Sequence, residues 1–378
     1  MTPRIRVYPP AWAPLRSLAL LAAAVGCGHT DPFSSPPYGS NEPFDVTAPT
    51  RLTLNPLDDR NAAWLPDGSG ILYSTKLAER EDGDVCLALL PPTGGRQTRV
   101  TCDLTVGGVD STNAIESAAP APDGRLAFIG SSGPVGASNA LSEGLVIAPT
   151  SDPHGATLIQ RIPYTISGEP THNHVRAVRW LGPSRLGFIG GAIANFSDCI
   201  GCAASRVVSD QKIVTIDAAG GAPATPVPGT DFASGLSAGP TEDEIYYTLG
   251  GDSRVYRKTL STGEVTVAFD FSGAGIARDV SVVGNKLAAI VGGRVAFGIN
   301  PLLGPTQRDS GGVVHVVNLV TGADQPLDTP GVLFRHPVLS PGGASIVADG
   351  YALVIFDNGT IADTTVAAHP DIYLFGAP

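Results

Sequence analysis

Short apolar runs separated by Gly- and Pro-rich breaks occupy almost the whole of the 378-residue chain, and the breaks recur in register. In each unit an apolar run leads into a Pro-Asp-Gly-like turn, and a second apolar run follows. The phrase reads Ala63-Trp64-Leu65-Pro66-Asp67-Gly68 with Ile71-Leu72-Tyr73, then Ala121-Pro122-Asp123-Gly124 with Leu126-Ala127-Phe128-Ile129. Weaker copies are Trp180-Leu181-Gly182-Pro183 with Leu186-Gly187-Phe188-Ile189, and Gly239-Pro240 with Ile245-Tyr246-Tyr247. Two more are Val283-Gly284-Asn285 with Leu287-Ala288-Ala289-Ile290, and Ser340-Pro341-Gly342-Gly343 with Ser345-Ile346-Val347. The spacing is about 55 residues, so one supersecondary unit is copied along the chain and the copy number sets the fold.

A second phrase follows the first in several copies: an alternating strand that ends in a Gly turn. It is Val85-Cys86-Leu87-Ala88-Leu89 to Gly94-Gly95, Lys212-Ile213-Val214-Thr215-Ile216 to Gly220-Gly221, Arg254-Val255-Tyr256-Arg257-Lys258 to Thr262-Gly263, and Val314-His315-Val316-Val317-Asn318 to Thr321-Gly322. A more variable strand comes next, such as Thr98-Arg99-Val100-Thr101 or Val265-Thr266-Val267. Period-two runs bounded by Gly and Pro read as antiparallel strands joined by turns. Four such strands in each of six copies predict an all-β, six-bladed β-propeller, whose radial repetition leaves few exposed sheet edges.

The Trp64-Leu65-Pro66-Asp67-Gly68 and Ala121-Pro122-Asp123-Gly124 phrases resemble the Pro-Asp-Gly propeller repeats of the TolB-like six-bladed family. The resemblance covers roughly residues 50–378, with four degenerate copies. TolB itself carries an α/β domain ahead of its propeller, for which this chain has no room, so its role does not transfer whole. The last copy ends at an apparent third strand, Asp371-Ile372-Tyr373-Leu374-Phe375, while Thr50-Arg51-Leu52-Thr53-Leu54 stands ahead of the first. The expectation is that this N-terminal strand completes the last blade and closes the ring.

The region before the repeats reads differently. Arg4, Arg6 and Arg16 precede a short apolar run, Leu18 to Val25, that is too short for an ordinary spanning helix and reads as a signal peptide over residues 1–26. Ala24-Val25-Gly26-Cys27 resembles the lipobox of bacterial lipoproteins, which implies lipid attachment at Cys27. Gly28 after the Cys implies, by the same resemblance, the outer membrane, facing the periplasm or the exterior. Residues 27–49 then form a Pro/Ser/Gly-rich tether, able to lift the ring by roughly 70 Å when fully extended. Removing residues 1–26 removes three Arg and no acid, so the formal charge of −11 becomes −14. That acidity argues against nucleic acid as a partner.

Four cysteines remain beyond Cys27, an even number that suits an exported chain. Three pairings are open; Cys86 with Cys102 is favoured because the two fall at facing ends of neighbouring strands, leaving Cys199 with Cys202 inside an insertion over residues 190–210. Cys199-Ile200-Gly201-Cys202 has redox-enzyme spacing but lacks the following helix, so a loop staple is expected. His172-Asn173-His174 with Glu169 offers metal-ligand types, read here as a solvated loop. Asp58-Asp59 and Glu81-Asp82-Gly83-Asp84 offer oxygen ligands for calcium, against the alternative of Asx-turns. Asp67 and Asp123 read as turn residues, and Trp64 and Trp180 as inter-blade core. Asp309-Ser310-Gly311-Gly312 and Ala367-Ala368-His369 echo protease segments in reversed order, and no nucleophile elbow or phosphate loop occurs. No catalytic residue, cofactor or metal ligand is assigned. The function expected is a lipid-anchored cell-envelope module that binds a protein or other ligand. The alternative is a propeller-class hydrolase or lactonase with a metal in the central channel.

Overall fold

A computed structural model describes residues 49–378 apart from short segments, of which 77–84, 133–142 and 197–204 are the longest. All of these residues belong to one compact unit, Asp45–Pro378. Among the described residues there is no helix, and the strands form six four-stranded antiparallel blades. Residues 1–48, including Cys27 and nearly all of the expected tether, lie outside the description, as do Cys199 and Cys202.

The innermost strands are Asp59–Trp64, Ala114–Pro120, His174–Gly182, Ala233–Ala238, Ile276–Val283 and Val332–Leu339. Each touches the next, and the sixth touches the first, so they enclose a channel. In the last blade, Val332–Leu339, Ser345–Asp357 and Asp371–Gly376 are joined by Thr50–Arg51, with Thr50 opposite Leu374 and Arg51 opposite Tyr373. The N-terminal strand therefore closes the ring as expected. Arg51 Nη2 lies 2.6 Å from Asp371 Oδ2 across this seam, and Ile372 N donates to Thr53 Oγ1 at 2.9 Å.

The apolar runs do not alternate because both faces of a blade are buried. In Leu126-Ala127-Phe128-Ile129, Leu126 and Phe128 pack towards blade 1, while Ala127 and Ile129 pack towards blade 3. Successive side chains on a strand point to opposite faces. Six clusters of buried residues result, one at each junction of neighbouring blades. The two repeat tryptophans bridge such junctions in the same way. Trp64 Nε1 donates to Val338 O at 3.1 Å in the sixth blade, and Trp180 Nε1 to Ala119 O at 2.8 Å in the second.

Antiparallel order sends the hairpins of a blade alternately to the two ends of the ring. The Pro-Asp-Gly turns and the Gly turns after the third strands fall on one end, here the turn face. Asp67 Oδ1 accepts from Ser69 N at 3.0 Å and Asp123 Oδ1 from Arg125 N at 3.1 Å, the Asx-turns expected of them. Everything added to the basic repeat falls on the other end. A hairpin, Leu104–Val106 with Val109–Thr112, enters between blades 1 and 2. Blade 3 is prolonged to Phe196 opposite Ser205, which accounts for the flanks of the 190–210 insertion. Blade 5 carries the hairpin Val295–Asn300 with Gly304–Arg308, which touches the strand Ala362–Val366 added to blade 6.

The Cys86–Cys102 disulfide is present, with Cα atoms 4.1 Å apart, at the inner end of this added material in blade 1. Two expectations are corrected. His172 is fully buried and not solvated: it exchanges both backbone hydrogen bonds with Tyr164 and packs its ring on the phenol, because the loop before blade 3 folds back on itself. Nor are Asp58 and Asp59 a calcium turn or an Asx-turn. Asp58 Oδ1 meets His369 Nδ1 at 2.7 Å and its other oxygen meets Arg60, while Asp59 is buried at the start of a strand.

Candidate functional site

Halfway along the channel, the register of every innermost strand slips relative to its neighbour within the blade. Five of the slips hold a non-glycine residue with positive φ: Asn61, Ser117, Ala177, Asp279 and His336. Such backbone is uncommon outside glycine, and its concentration at one level is a reason to look there for function. In the remaining blade the position is Gly235, where a Cβ would come within 2.6 Å of the Asp279 backbone.

These slips turn charged side chains inward. Arg60 of blade 1 is paired with Glu116 of blade 2, and Arg176 Nη1 of blade 3 lies 3.9 Å from Asp279 Oδ1 of blade 5. Arg176 also donates Nη1 to Ser234 O at 3.0 Å and Nη2 to Gln211 Oε1 at 2.8 Å. His336 stands between two carboxylates. Its Nδ1 is 2.7 Å from Asp349 Oδ2, its Nε2 is 4.0 Å from Asp279 Oδ2, and its backbone N donates to that same Asp279 oxygen at 3.2 Å.

The titration behaviour follows from these contacts. Burial opposes charge on His336, but Asp279 and Asp349 outweigh it and raise its pKa. Burial likewise opposes charge on Asp279, yet His336 and Arg176 together hold its carboxyl below the ordinary range. Glu116 goes the other way: burial pushes it up despite Arg60. For Arg179, burial lowers the pKa and Asp279 and Asp349 offset it only in part.

A cavity of about 30 Å³ opens at this level, lined by Asn61, Ser117, Arg176, Arg179 and His336 with three alanines. Ligand pockets are usually some ten times larger, roughly 300–1,000 Å³. The waist is therefore a plug of ion pairs with a small polar void. A metal in the channel, as the hydrolase alternative requires, does not fit this donor set. His336 is held between Asp349 and Asp279, and the void is faced by guanidinium groups, which repel a cation. Among the described residues no three His, Cys, Asp or Glu side chains converge as metal ligands do.

The larger concavity, about 660 Å³, lies on the insertion face between blades 4 and 5. Blade 4 joins its second and third strands through residues 250–253 alone, so it forms a notch beside neighbours with longer connections. Phe232 stands in the notch with 71% of its surface exposed and φ of 66°. Its backbone is pinned: Phe232 N donates to Gln211 O at 2.6 Å, and Gly250 N donates to Phe232 O at 2.8 Å. Around it are Asp231, Asp252, Ser253 and Arg254. Arg254 and Tyr256 both bond Asp252, and the Arg254 hydrogen bond is the main cause that brings its pKa down to about 2.

None of the motifs singled out from the sequence forms this site. His172 and His174 sit at the root of blade 3, Gly311 O accepts from Arg278 at 2.7 Å, and Ser310 and Glu169 lie outside the described residues. The waist residues lie outside the motifs of the repeat, although the sequence carries a signal for them. A charged residue stands six or seven positions ahead of each of five turns: Arg60 before Pro66, Glu116 before Pro122, Arg176 before Pro183, Arg278 before Gly284 and Arg335 before Pro341. Phe232 has no comparable signal in the repeat.

No protein-family model and no curated protein matches the chain in sequence. Its fold is similar to that of a gluconolactonase from Xanthomonas campestris, with a TM-score of 0.54 and 13% identity over 88% of this chain and 90% of that one. TolB from Acinetobacter baumannii is similar at a TM-score of 0.50 and 15% identity, over 82% of this chain and 67% of that one. At such identities the likeness establishes the six-bladed propeller and carries no activity with it.

Proposed function

We propose that this protein is a binding module of the cell envelope, anchored through lipid on Cys27 and engaging a protein or other ligand with the insertion face of its ring. The observation that carries the reading is Phe232. A large aromatic side chain held in solvent on left-handed backbone gains nothing for folding, and exposed aromatics of this kind are the usual anchors of interfaces. Its position in the notch of the face that carries every addition to the repeat supports the same reading. The lipobox-like Ala24-Val25-Gly26-Cys27 and the tether support anchoring at the outer membrane, and the acidic chain supports a partner other than nucleic acid. Metal-dependent hydrolysis draws no support from the donors at the waist.

The test compares immobilised wild-type ring, residues 45–378, with Phe232→Asn in binding from envelope extract. A species retained by the wild type and lost with Phe232→Asn is the expected result. Equal retention by both would remove the notch from the account, and metal-dependent turnover of a lactone by the wild type would replace binding with catalysis.

A further inference from the structure

Arg179 is the side chain in the channel that folding alone does not explain. It follows the left-handed Ala177 on the innermost strand of blade 3. Among the described residues its guanidinium donates one hydrogen bond, from Nη1 to Val178 O at 2.8 Å. A guanidinium has five N–H donors in a planar fork, so most of the donating capacity of Arg179, which lines the void, is unfilled among the described residues. The Asn61 amide and the Ser117 hydroxyl line the same void, and among the described residues neither side chain has a hydrogen-bond partner.

The charges around the void are unbalanced. Arg176, Arg179 and His336 line it, and no carboxylate does. Two acids of the waist make other contacts: Asp349 Oδ2 accepts from Asn61 N at 3.0 Å and meets His336, its buried Oδ1 has no hydrogen-bond partner among the described residues, and Asp279 is shared between His336 and Arg176. Asp279 and Asp349 act on Arg179 through space, and among the described residues neither carboxylate hydrogen-bonds its guanidinium. A guanidinium whose N–H donors are largely unfilled gains charge-assisted hydrogen bonds from a bound anion.

We propose that the channel waist binds one small carboxylate, gripped by the guanidinium of Arg179 and completed by Asn61, Ser117 and His336. Size decides the class. A void of about 30 Å³ takes about two water-sized groups, the two oxygens of one carboxylate, and is too small for a sugar ring or nucleotide. The site lies inside the ring and does not depend on what the insertion face binds. The carboxylate belongs either to a free small acid or to the terminus of a peptide reaching into the channel, and the two sources can be told apart.

The experiment follows thermal unfolding of the full chain at pH 6 in sodium formate against sodium chloride at equal ionic strength. The expected result is a saturable rise in melting temperature of about 2 °C or more with formate, absent in Arg179→Met and in Asn61→Asp. Asn61→Asp keeps a residue that tolerates left-handed backbone and places a carboxylate where the ligand's would sit. Arg125→Gln, on the turn face, keeps the rise. Tetraglycine with a free or an amidated terminus assigns the source: a rise with the free form alone points to a chain terminus, and formate without either peptide points to a free acid. A formate effect that never saturates, or that persists in both waist variants, would overturn the proposal. If the variants fail to fold, line broadening of carbon-13 formate by the wild type decides: saturable broadening supports the site and none refutes it.

Discussion

The two ends of the ring are built under different constraints. On the turn face the hairpins are tight, bounded by Gly and Pro, and capped by their own side chains, as with Asp67 and Ser69 or Asp123 and Arg125. On the insertion face the same blades carry two extra hairpins, two prolonged strand pairs and a notch with an exposed, backbone-strained phenylalanine. One end repeats because every blade must make the same junction with its neighbour. The other end varies because nothing in the ring requires its loops to agree. The contrast predicts that substitutions in the inter-blade core change stability and leave binding at the notch alone, while substitutions in the notch do the reverse.

The largest effect that would break this division is in the inter-blade core. Phe128 is fully buried between blades 1 and 2, and Phe128→Ala should cost about 3–5 kcal/mol in denaturant unfolding. The loss should be shared by the whole ring in one transition, and a separate early transition of blades 1 and 2 would contradict the closed-ring account. Next in size is the seam. Deleting residues 50–55 removes Leu52 from its cluster and the Arg51 and Thr53 contacts to Asp371, on the order of 3 kcal/mol. Unchanged thermal unfolding would mean that the last blade does not need its fourth strand.

The sequence was legible where this repetition operates and silent where it stops. Trp64 and Trp180 could be placed at blade junctions because they occupy equivalent positions, and their indoles donate to equivalent strands. Cys86 and Cys102 could be paired because strand register puts them opposite one another. His172 departs from its expected solvated state because its burial depends on a loop folding back onto Tyr164, a contact that no periodicity encodes. The waist charges have a fixed offset from the turns, yet what they do depends on which blades face each other across the channel. Asp279 meets His336 and Arg176 only once the ring has closed. Phe232 is a single residue whose meaning lies in its backbone angle and exposure, neither of which a sequence displays.

A smaller effect sharpens the description of the seam. Burial raises the Asp371 pKa to about 6 although Arg51 and Thr53 contact it. An acid with a raised native pKa binds more protons folded than unfolded between about pH 4 and pH 6, so stability falls as pH rises through that window. In Asp371→Asn the side chain stays neutral throughout. The stability of the wild type relative to this variant should therefore fall by about 1–3 kcal/mol between pH 4 and pH 6.5. A flat difference would mean that the carboxylate is solvated and the seam looser than its contacts indicate.

The smallest stability effect is the most demanding test of the comparison. Phe232 has little burial to lose, and its left-handed backbone suits Asn better than an aromatic residue. Phe232→Asn should leave unfolding within about 0.5 kcal/mol of the wild type, or raise it slightly as strain is released. Replacing an aromatic at no structural cost is what marks a residue kept for something other than folding. A loss of several kcal/mol would show instead that the notch is part of the ring's own support, and the distinction between the two faces would fail at the residue on which it rests most heavily.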